Sequence, residues 1–265
     1  MTRILLVGSG KMGSALLDGW LDRGFSPHDI VVVEPDERTH PSRPHVQVCH
    51  GPAAIAPDFL PDVVVLAVKP QVMDLVLPPY AGYDAAVFLS IAAGKPLDYF
   101  GHWLGLGKAV VRAMPNTPAA VRRGMTVAVA NGAVSQIQRE ACDELLAAVG
   151  EVAWIEDETL MDAVTALSGS GPAYVFLMAE ALSAAGIAAG LPEALAEQLA
   201  RATVIGAGEL LRQSPEDAAV LRQNVTSPGG TTFAALQVLM AEDGLNPLLS
   251  RAVAAAAKRS RELAG

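Results

Sequence analysis

Ten residues near the N-terminus, Ile4-Leu5-Leu6-Val7-Gly8-Ser9-Gly10-Lys11-Met12-Gly13, constrain this chain more than any others. Four consecutive apolar residues predict a strand covered on both faces, and the glycines predict a tight turn that opens a helix. Gly8 permits the turn, Gly10 lets backbone approach a pyrophosphate, and Gly13 allows the helix to pack closely on the strand. The helix N-terminus favours the anion. A glycine pattern alone is weak evidence, but here a strand precedes it, a helix follows, and an acidic residue lies further on. That residue is Glu34, at the end of the second predicted strand. Its carboxylate can accept from a ribose 2′-hydroxyl and would repel a 2′-phosphate, which tilts toward NADH. Arg38 and Arg43 follow closely and can receive the phosphate of NADPH, so both cofactors stay open. A solvated turn is the plain alternative for Glu34 and Asp36.

The rest of the first half repeats this alternation of short β-branched runs with helical spacing, the pattern of a parallel sheet with crossover helices. Strands are expected at Ile4 to Val7, Ile30 to Val33, Val63 to Val68, Ala86 to Ile91, Ala109 to Arg112, Thr126 to Ala130 and Val152 to Ile155. After Asp157 no β-branched run is bounded by turn residues, and helical spacing continues to the end. The expected division is therefore residues 1–157, a Rossmann-type NAD(P)-binding α/β domain, and 158–265, an all-α domain. Helices are expected at Glu158 to Leu167, Pro172 to Ala189, Pro192 to Gln213, Pro215 to Gln223, Thr231 to Glu242 and Pro247 to Leu263, several with proline in the first turn. The helix from Pro172 is apolar nearly all round, so it is expected to pack between subunits; the centre of a monomeric bundle is the alternative.

Composition excludes several function classes. The formal charge is -9 with no basic block, so no nucleic-acid partner is expected. Cys49 and Cys142 stand far apart, outside any CxxC or Cys/His spacing, which points to a reducing cytoplasm and to neither a disulfide framework nor structural zinc. His40, His45 and His50 match no ligand pattern either, and no metal is expected. The chain enters its first strand without a leader pattern, and Ala173 to Leu191, though near spanning length, contains Glu180 and ends at Pro192, so no membrane partner is expected.

Three further motifs begin at the C-terminal ends of predicted strands, where open α/β sheets bind ligands. They are Ala67-Val68-Lys69-Pro70-Gln71, Ser90-Ile91-Ala92-Ala93-Gly94 and Arg112-Ala113-Met114-Pro115-Asn116-Thr117-Pro118. With Ala166-Leu167-Ser168-Gly169-Ser170-Gly171-Pro172-Ala173-Tyr174 and Asn224-Val225-Thr226-Ser227-Pro228-Gly229-Gly230-Thr231-Thr232, they make the chain resemble the pyrroline-5-carboxylate reductase family over its whole length. The resemblance implies hydride transfer from NADPH or NADH to 1-pyrroline-5-carboxylate, giving L-proline, in a homodimer or larger homo-oligomer built by the helical domain. It also implies the site residues. Gly8, Ser9, Gly10, Lys11, Met12, Gly13, Ala67, Val68, Lys69, Pro70, Ala92 and Ala93 would line the cofactor, with Asn224 reaching it from the second domain, and the active site would lie between the domains. Glu158, Ser227, Gly229, Gly230, Thr231 and Thr232 would bind the substrate. The chain departs from its relatives at Gly51-Pro52-Ala53-Ala54, where an Asn is common near the adenosine ribose.

These residues suit the chemistry of a cyclic imine carrying a carboxylate. Gly229 and Gly230 can turn amides toward an anion with no Cβ in the way, the helix from Thr231 adds its dipole, and the Thr232 hydroxyl is expected near the ring nitrogen as the catalytic contact. A plain helix N-cap with turn glycines is the alternative for Thr226 to Thr232. Ketone reduction usually needs a placed acid to protonate the developing alkoxide. No histidine follows His102 and no lysine lies between Lys108 and Lys258, which leaves Tyr174 as the remaining candidate acid, with a helix-packing aromatic as the plainer reading. A protonated imine already carries the charge that accepts hydride, so the shortage of acids favours imine over ketone. A related hydroxyacid or ketone dehydrogenase, and a dinucleotide-binding regulatory protein without turnover, are the competing readings.

Overall fold

The structure is a computed structural model and describes residues 2–264. Eight strands form one sheet: β1 (Ile4–Val7), β2 (Ile30–Val33), β3 (Gln47–Cys49), β4 (Val63–Leu66), β5 (Val87–Ser90), β6 (Val110–Met114), β7 (Gly124–Ala130) and β8 (Gly150–Trp154). Their order is β3-β2-β1-β4-β5-β6-β7-β8. Sequence order therefore reverses between β1 and β4, and in doubly wound sheets the crevice beyond the strand C-termini at such a point is where ligands bind. All neighbouring pairs are parallel except β6 and β7, which run antiparallel. That exception corrects the all-parallel reading. Residues 115–123 connect the two strands through a short 3-10 turn, Thr117–Val121, too short for a crossover helix.

The first helices are α1 (Lys11–Asp22), α2 (Met73–Val76), α3 (Leu97–Leu104) and α4 (Gln136–Ala147). Side chains alternate across each strand, so every buried strand feeds two cores. Ile4 and Leu6 join Leu16, Leu17 and Trp20 of α1 and Leu145 and Leu146 of α4 in one cluster. Leu5 and Val7 join Met73, Phe100 and Leu104 in the other, with α2 and α3. Trp20 is fully buried and its indole N–H donates to the carbonyl of Leu145 at 2.9 Å, so the largest side chain of the core hides no unpaired donor.

Beyond β8 come α5 (Met161–Val164), a π-helical turn at Thr165–Gly169, α6 (Gly171–Ala188), α7 (Glu193–Gln213), α8 (Ala218–Asn224), α9 (Thr231–Leu239) and α10 (Leu245–Ala264). The chain divides into two compact units, one ending at Gly169 and joined by the stretch from Ala257, the other spanning Ser170–Ala256. The change of pattern at Asp157 thus precedes the change of compactness. The expected helix Glu158 to Leu167 is instead a 3-10 turn at Glu158–Leu160, then α5, then the π turn. Short Val and Thr side chains at 164–165 and the demands of contacts to Ser168 and Gly169, given below, accompany that change of winding.

Within the second unit only Ala196 and Ala200 are buried among the described residues. α6 and α7 pack closely because a Cβ on Gly186 would stand 3.2 Å from that of Ala196. Phe176 and Leu177 of α6 are each 62% exposed, and α6 buries nothing. A helical unit of this size with no large side chain inside has apolar surface that must be covered by something else. By length and composition, the helical stretch Glu158–Ala188 is also apolar enough to cross a membrane, a test that interface helices pass as readily.

The close approach at the first turn yields a stability prediction. A Cβ on Gly13 would stand 2.3 Å from the Gly8 carbonyl oxygen, whereas one on Gly10 meets nothing within 4 Å. Gly13→Ala should therefore lose about 1–3 kcal/mol in urea unfolding, and Gly10→Ala should lose less; the reverse order would contradict this packing.

Candidate active site

Four loops leave the sheet at the C-terminal ends of β1, β2, β4 and β5. Backbone bonds tie them side by side: Gly8 N–H donates to Val33 O at 2.9 Å, Ala67 N–H to Val7 O at 2.8 Å and Ile91 N–H to Leu66 O at 3.2 Å. The glycine turn is tightly shaped. Gly8 has φ of 94°, and a Cβ there would meet the Ala67 carbonyl oxygen and Val68 Cγ1, both at 2.8 Å. Hence Gly8 and Gly13 are packed against Ala67 and Val68, more than fifty positions further along the sequence. Gly10 is the N-cap of α1, with no side-chain cap and no acidic residue in the first turn. Gly10 and Lys11 are exposed and Met12 is half-buried, so the first-turn amides of α1 sit at an accessible surface without competing side-chain acceptors.

Glu34 has its carboxylate engaged by the backbone of its own chain. The residue is buried; Oε2 accepts from the Ser9 N–H at 2.9 Å and Oε1 from the Asp36 N–H at 3.1 Å. The Ser9 hydroxyl donates to Thr39 O at 2.7 Å, and Ser14 Oγ donates to Ser9 O at 2.7 Å. Glu34 therefore braces the glycine turn against the loop after β2. The two arginines considered for a 2′-phosphate are both paired with carboxylates. Arg38 makes a two-pronged contact with Asp36, and that guanidinium holds the Asp36 carboxyl at about 2. Arg43 makes the same kind of contact with Asp18. Both pairs are substantially exposed, a setting in which ion pairs contribute little and exchange partners readily.

On the β4 and β5 loops, Lys69 is exposed, Pro70 half-buried, Ala92 buried and Ala93 exposed. Ser90 Oγ accepts from the Ala92 N–H at 3.2 Å and so shapes the start of the second of these loops. Glu158 reaches the same region from much later in the chain. Its Oε1 accepts from the Leu97 N–H, the first residue of α3, at 2.9 Å and from Arg112 Nη1 at 2.7 Å. Sequence reasoning assigned no part to Arg112, although a guanidinium inside an otherwise apolar strand signals a required partner. Asn116 was missed as well. Its amide donates to Ser168 O and Oγ at 3.2 and 3.3 Å, and a Cβ on Gly169 would stand 2.6 Å from Met114 Cε, so the Arg112–Pro118 motif packs on Ser168 and Gly169.

In the second unit, Gly229 has φ of 71°, and Gly230 is the N-cap of α9 without a side-chain cap or an acidic first turn. A Cβ on Gly230 would meet Ser227 Oγ at 2.5 Å, and the Gly230 N–H donates to Ser227 O at 3.0 Å. Ser227, Gly229, Gly230, Thr231 and Thr232 thus form one turn at a helix start. Asn224 closes α8, is exposed, and donates to Glu216 Oε2 at 3.2 Å. Among the described residues, no group of three or more His, Cys, Asp and Glu could hold a metal ion.

Comparison with known proteins agrees over nearly the full chain. Residues 158–263 match the family description "Pyrroline-5-carboxylate reductase dimerisation", and residues 3–94 match "NADP oxidoreductase coenzyme F420-dependent". The chain is 40% identical to the pyrroline-5-carboxylate reductase of Pseudomonas aeruginosa, over 99% of this chain and 97% of that one. Among solved structures, a pyrroline-5-carboxylate reductase from Coxiella burnetii superimposes with a TM-score of 0.90 at 35% identity, covering 99% of this chain and 98% of that one. The Plasmodium falciparum pyrroline carboxylate reductase, solved with NADP bound, gives a TM-score of 0.84 at 28% identity, covering 100% and 98%. With its dinucleotide-type sheet, its helical dimerisation region and this full-length identity, the chain belongs to the pyrroline-5-carboxylate reductase family of NAD(P)H-dependent oxidoreductases.

Proposed function

We propose that the chain reduces 1-pyrroline-5-carboxylate to L-proline by binding two anions at two glycine-opened helix starts, the dinucleotide pyrophosphate at α1 and the substrate carboxylate at α9. The single observation that carries this reading is that both helices begin at a glycine N-cap, Gly10 and Gly230, with no side-chain cap and no first-turn acid. The uncapped amides suit an anion, and the macrodipole adds to their field. When bound, the reduced dinucleotide supplies the hydride.

The chain's own residues bind and orient. Gly8, Ser9, Gly10, Lys11, Met12 and Gly13 hold the pyrophosphate, while Ala67, Val68, Lys69, Pro70, Ala92 and Ala93 line the remainder of the dinucleotide, with Asn224 contributing from the helical unit. Glu34 supports this loop through Ser9. NADPH and NADH are both accommodated, because the exposed Arg38 can exchange Asp36 for a 2′-phosphate at small cost. Ser227, Gly229, Gly230 and Thr231 hold the substrate carboxylate, and Thr232 places its hydroxyl at the ring nitrogen. Glu158 takes part through Oε2, since Oε1 is committed to Leu97 and Arg112.

The substrate enters as the protonated imine, so the C=N carbon is already electron-poor and the nitrogen needs no proton in the transition state. A positioned Lys or His is therefore not required. Tyr174 lies half-buried at the start of α6, and in this reading it is a helix aromatic and not the acid of the reaction. The apolar faces of α6 and α7 are covered by a second copy, in keeping with the family description of residues 158–263, and larger rings can build on that dimer. Two free, buried cysteines accord with a reducing cytoplasm.

Three outcomes follow. Initial rates should show oxidation of NADPH and NADH on adding the cyclic imine and none on adding 2-keto acids; cofactor binding without oxidation would favour the regulatory reading. Thr232→Ala should lower kcat/KM for the imine about tenfold, the scale of one hydrogen bond to a charged group, while Tyr174→Phe stays near the parent rate. A large loss from Tyr174→Phe alone would contradict the imine mechanism. Phe176→Asp should convert the dimer to monomer in sedimentation velocity, and an unchanged dimer would place the interface elsewhere.

A further inference from the structure

The segment from Ile91 to Pro96 leaves β5 and enters α3 at Leu97. It carries Ala92 and Ala93, so its conformation sets one wall of the proposed cofactor site. Three contacts hold it. Near its start, Ser90 Oγ accepts from the Ala92 N–H. Toward its end, Lys95 Nζ stands 4.0 Å over the ring of Tyr99 and 3.6 Å from Asp74 Oδ1, and the Tyr99 hydroxyl donates to the same Asp74 carboxylate. Asp74 belongs to α2, which follows the Lys69-Pro70 loop, so this contact joins the two loops of the cofactor wall.

The third contact is the Glu158 carboxylate on the Leu97 N–H, and it differs from the others in being anchored in the core through a buried arginine. Sixty-one positions separate Glu158 from Leu97, and forty-six separate it from Arg112. The Arg112 side chain is only 8% exposed, on a strand whose neighbouring residues are buried and apolar. A guanidinium in that position requires a compensating carboxylate, and the planar group fixes the direction of the oxygen it holds. Oε1 is thereby shared between a donor rigidly set in the sheet and the amide that opens α3.

We propose that Arg112 and Glu158 are a positioning pair for hydride transfer: the buried guanidinium of β6 fixes the carboxylate that holds the start of α3, and with it the Ala92–Lys95 segment, in the conformation that receives the nicotinamide end of the dinucleotide. The proposal rests on the reading of Ala92 and Ala93 given above. It concerns Oε1 of Glu158 and is independent of any contact that Oε2 makes with the imine.

Binding measurements on the full chain test it without the imine. NADPH affinity is read from nicotinamide fluorescence, and adenosine 2′,5′-bisphosphate, which lacks the nicotinamide, is titrated by calorimetry. Arg112→Met and Glu158→Ala should each weaken NADPH about tenfold, the loss of one charge-assisted hydrogen bond, and leave the adenosine fragment at parent affinity. The double variant should bind NADPH no more weakly than the worse single, because both act through one oxygen. Its thermal midpoint should recover relative to Glu158→Ala, since no buried guanidinium is left unpaired, while NADPH affinity does not recover. A purely structural pair would show the two recovering together, which would overturn the proposal. Equal weakening of NADPH and fragment would also overturn it, as would parent NADPH affinity in Glu158→Ala. Should Arg112→Met fail to fold, Glu158→Ala decides alone by the same comparison of NADPH with fragment. Absence of imine turnover in the parent would defeat the proposed function and leave this comparison standing.

Discussion

The contact between Gly8 and Gly13 is the constraint on which the rest depends. A side chain at either position would collide with backbone, at Gly13 with the carbonyl of Gly8 and at Gly8 with that of Ala67. Only glycine lets the chain leave β1, turn with a positive φ, and start a helix directly over the strand it has left. Because that helix begins so close to the sheet edge, its first amides lie beside the loops from β2 and β4, at the point where strand order reverses. Glu34 completes the arrangement by holding Ser9 from the neighbouring strand. The charged residue most easily read as a ligand contact is first of all a structural brace for the turn.

The two units solve the problem of apolar surface differently. The sheet unit buries long runs of Val, Leu and Ile on both faces, in two large clusters and a smaller third, so its core is complete within one chain. The helical unit buries two alanines and leaves Phe176, Leu177 and many other large side chains accessible. Its stability is therefore linked to assembly, and in such proteins stability depends on protomer concentration.

How far the sequence could be read follows from which forces are local. Strands β1, β2, β4 and β5 were legible because unbroken apolar runs are what a doubly covered sheet requires, and the glycines of both turns were legible because backbone geometry admits little else there. The short edge strand β3, Gln47–Cys49, was not, since three residues with one polar side chain carry no period. Nor was the reversed direction of β7, because a β-branched run looks the same in either orientation and only the short connection after Met114 decides it. Helix starts drifted by a few residues at Pro215 and Pro247, where Asp217 stands at the N-cap position of α8 without a side-chain bond and α10 begins at Leu245. The pairing of Arg112 with Glu158 and of Asn116 with Ser168 needed the fold, since each joins residues more than forty positions apart through hydrogen bonds that leave no mark on periodicity. A lone arginine in an apolar strand is the one signal that could have flagged the first.

In the function proposed above, backbone amides at two glycine-opened helix starts would carry the binding of both reactants. Amide hydrogen exchange of the dimer, followed residue by residue with NADPH and then with proline added, tests this most directly. NADPH should slow exchange at Gly10 to Gly13, and proline should slow it at Gly229 to Thr232. Slowing confined to other segments, with both turns exchanging as in the unliganded protein, would contradict it.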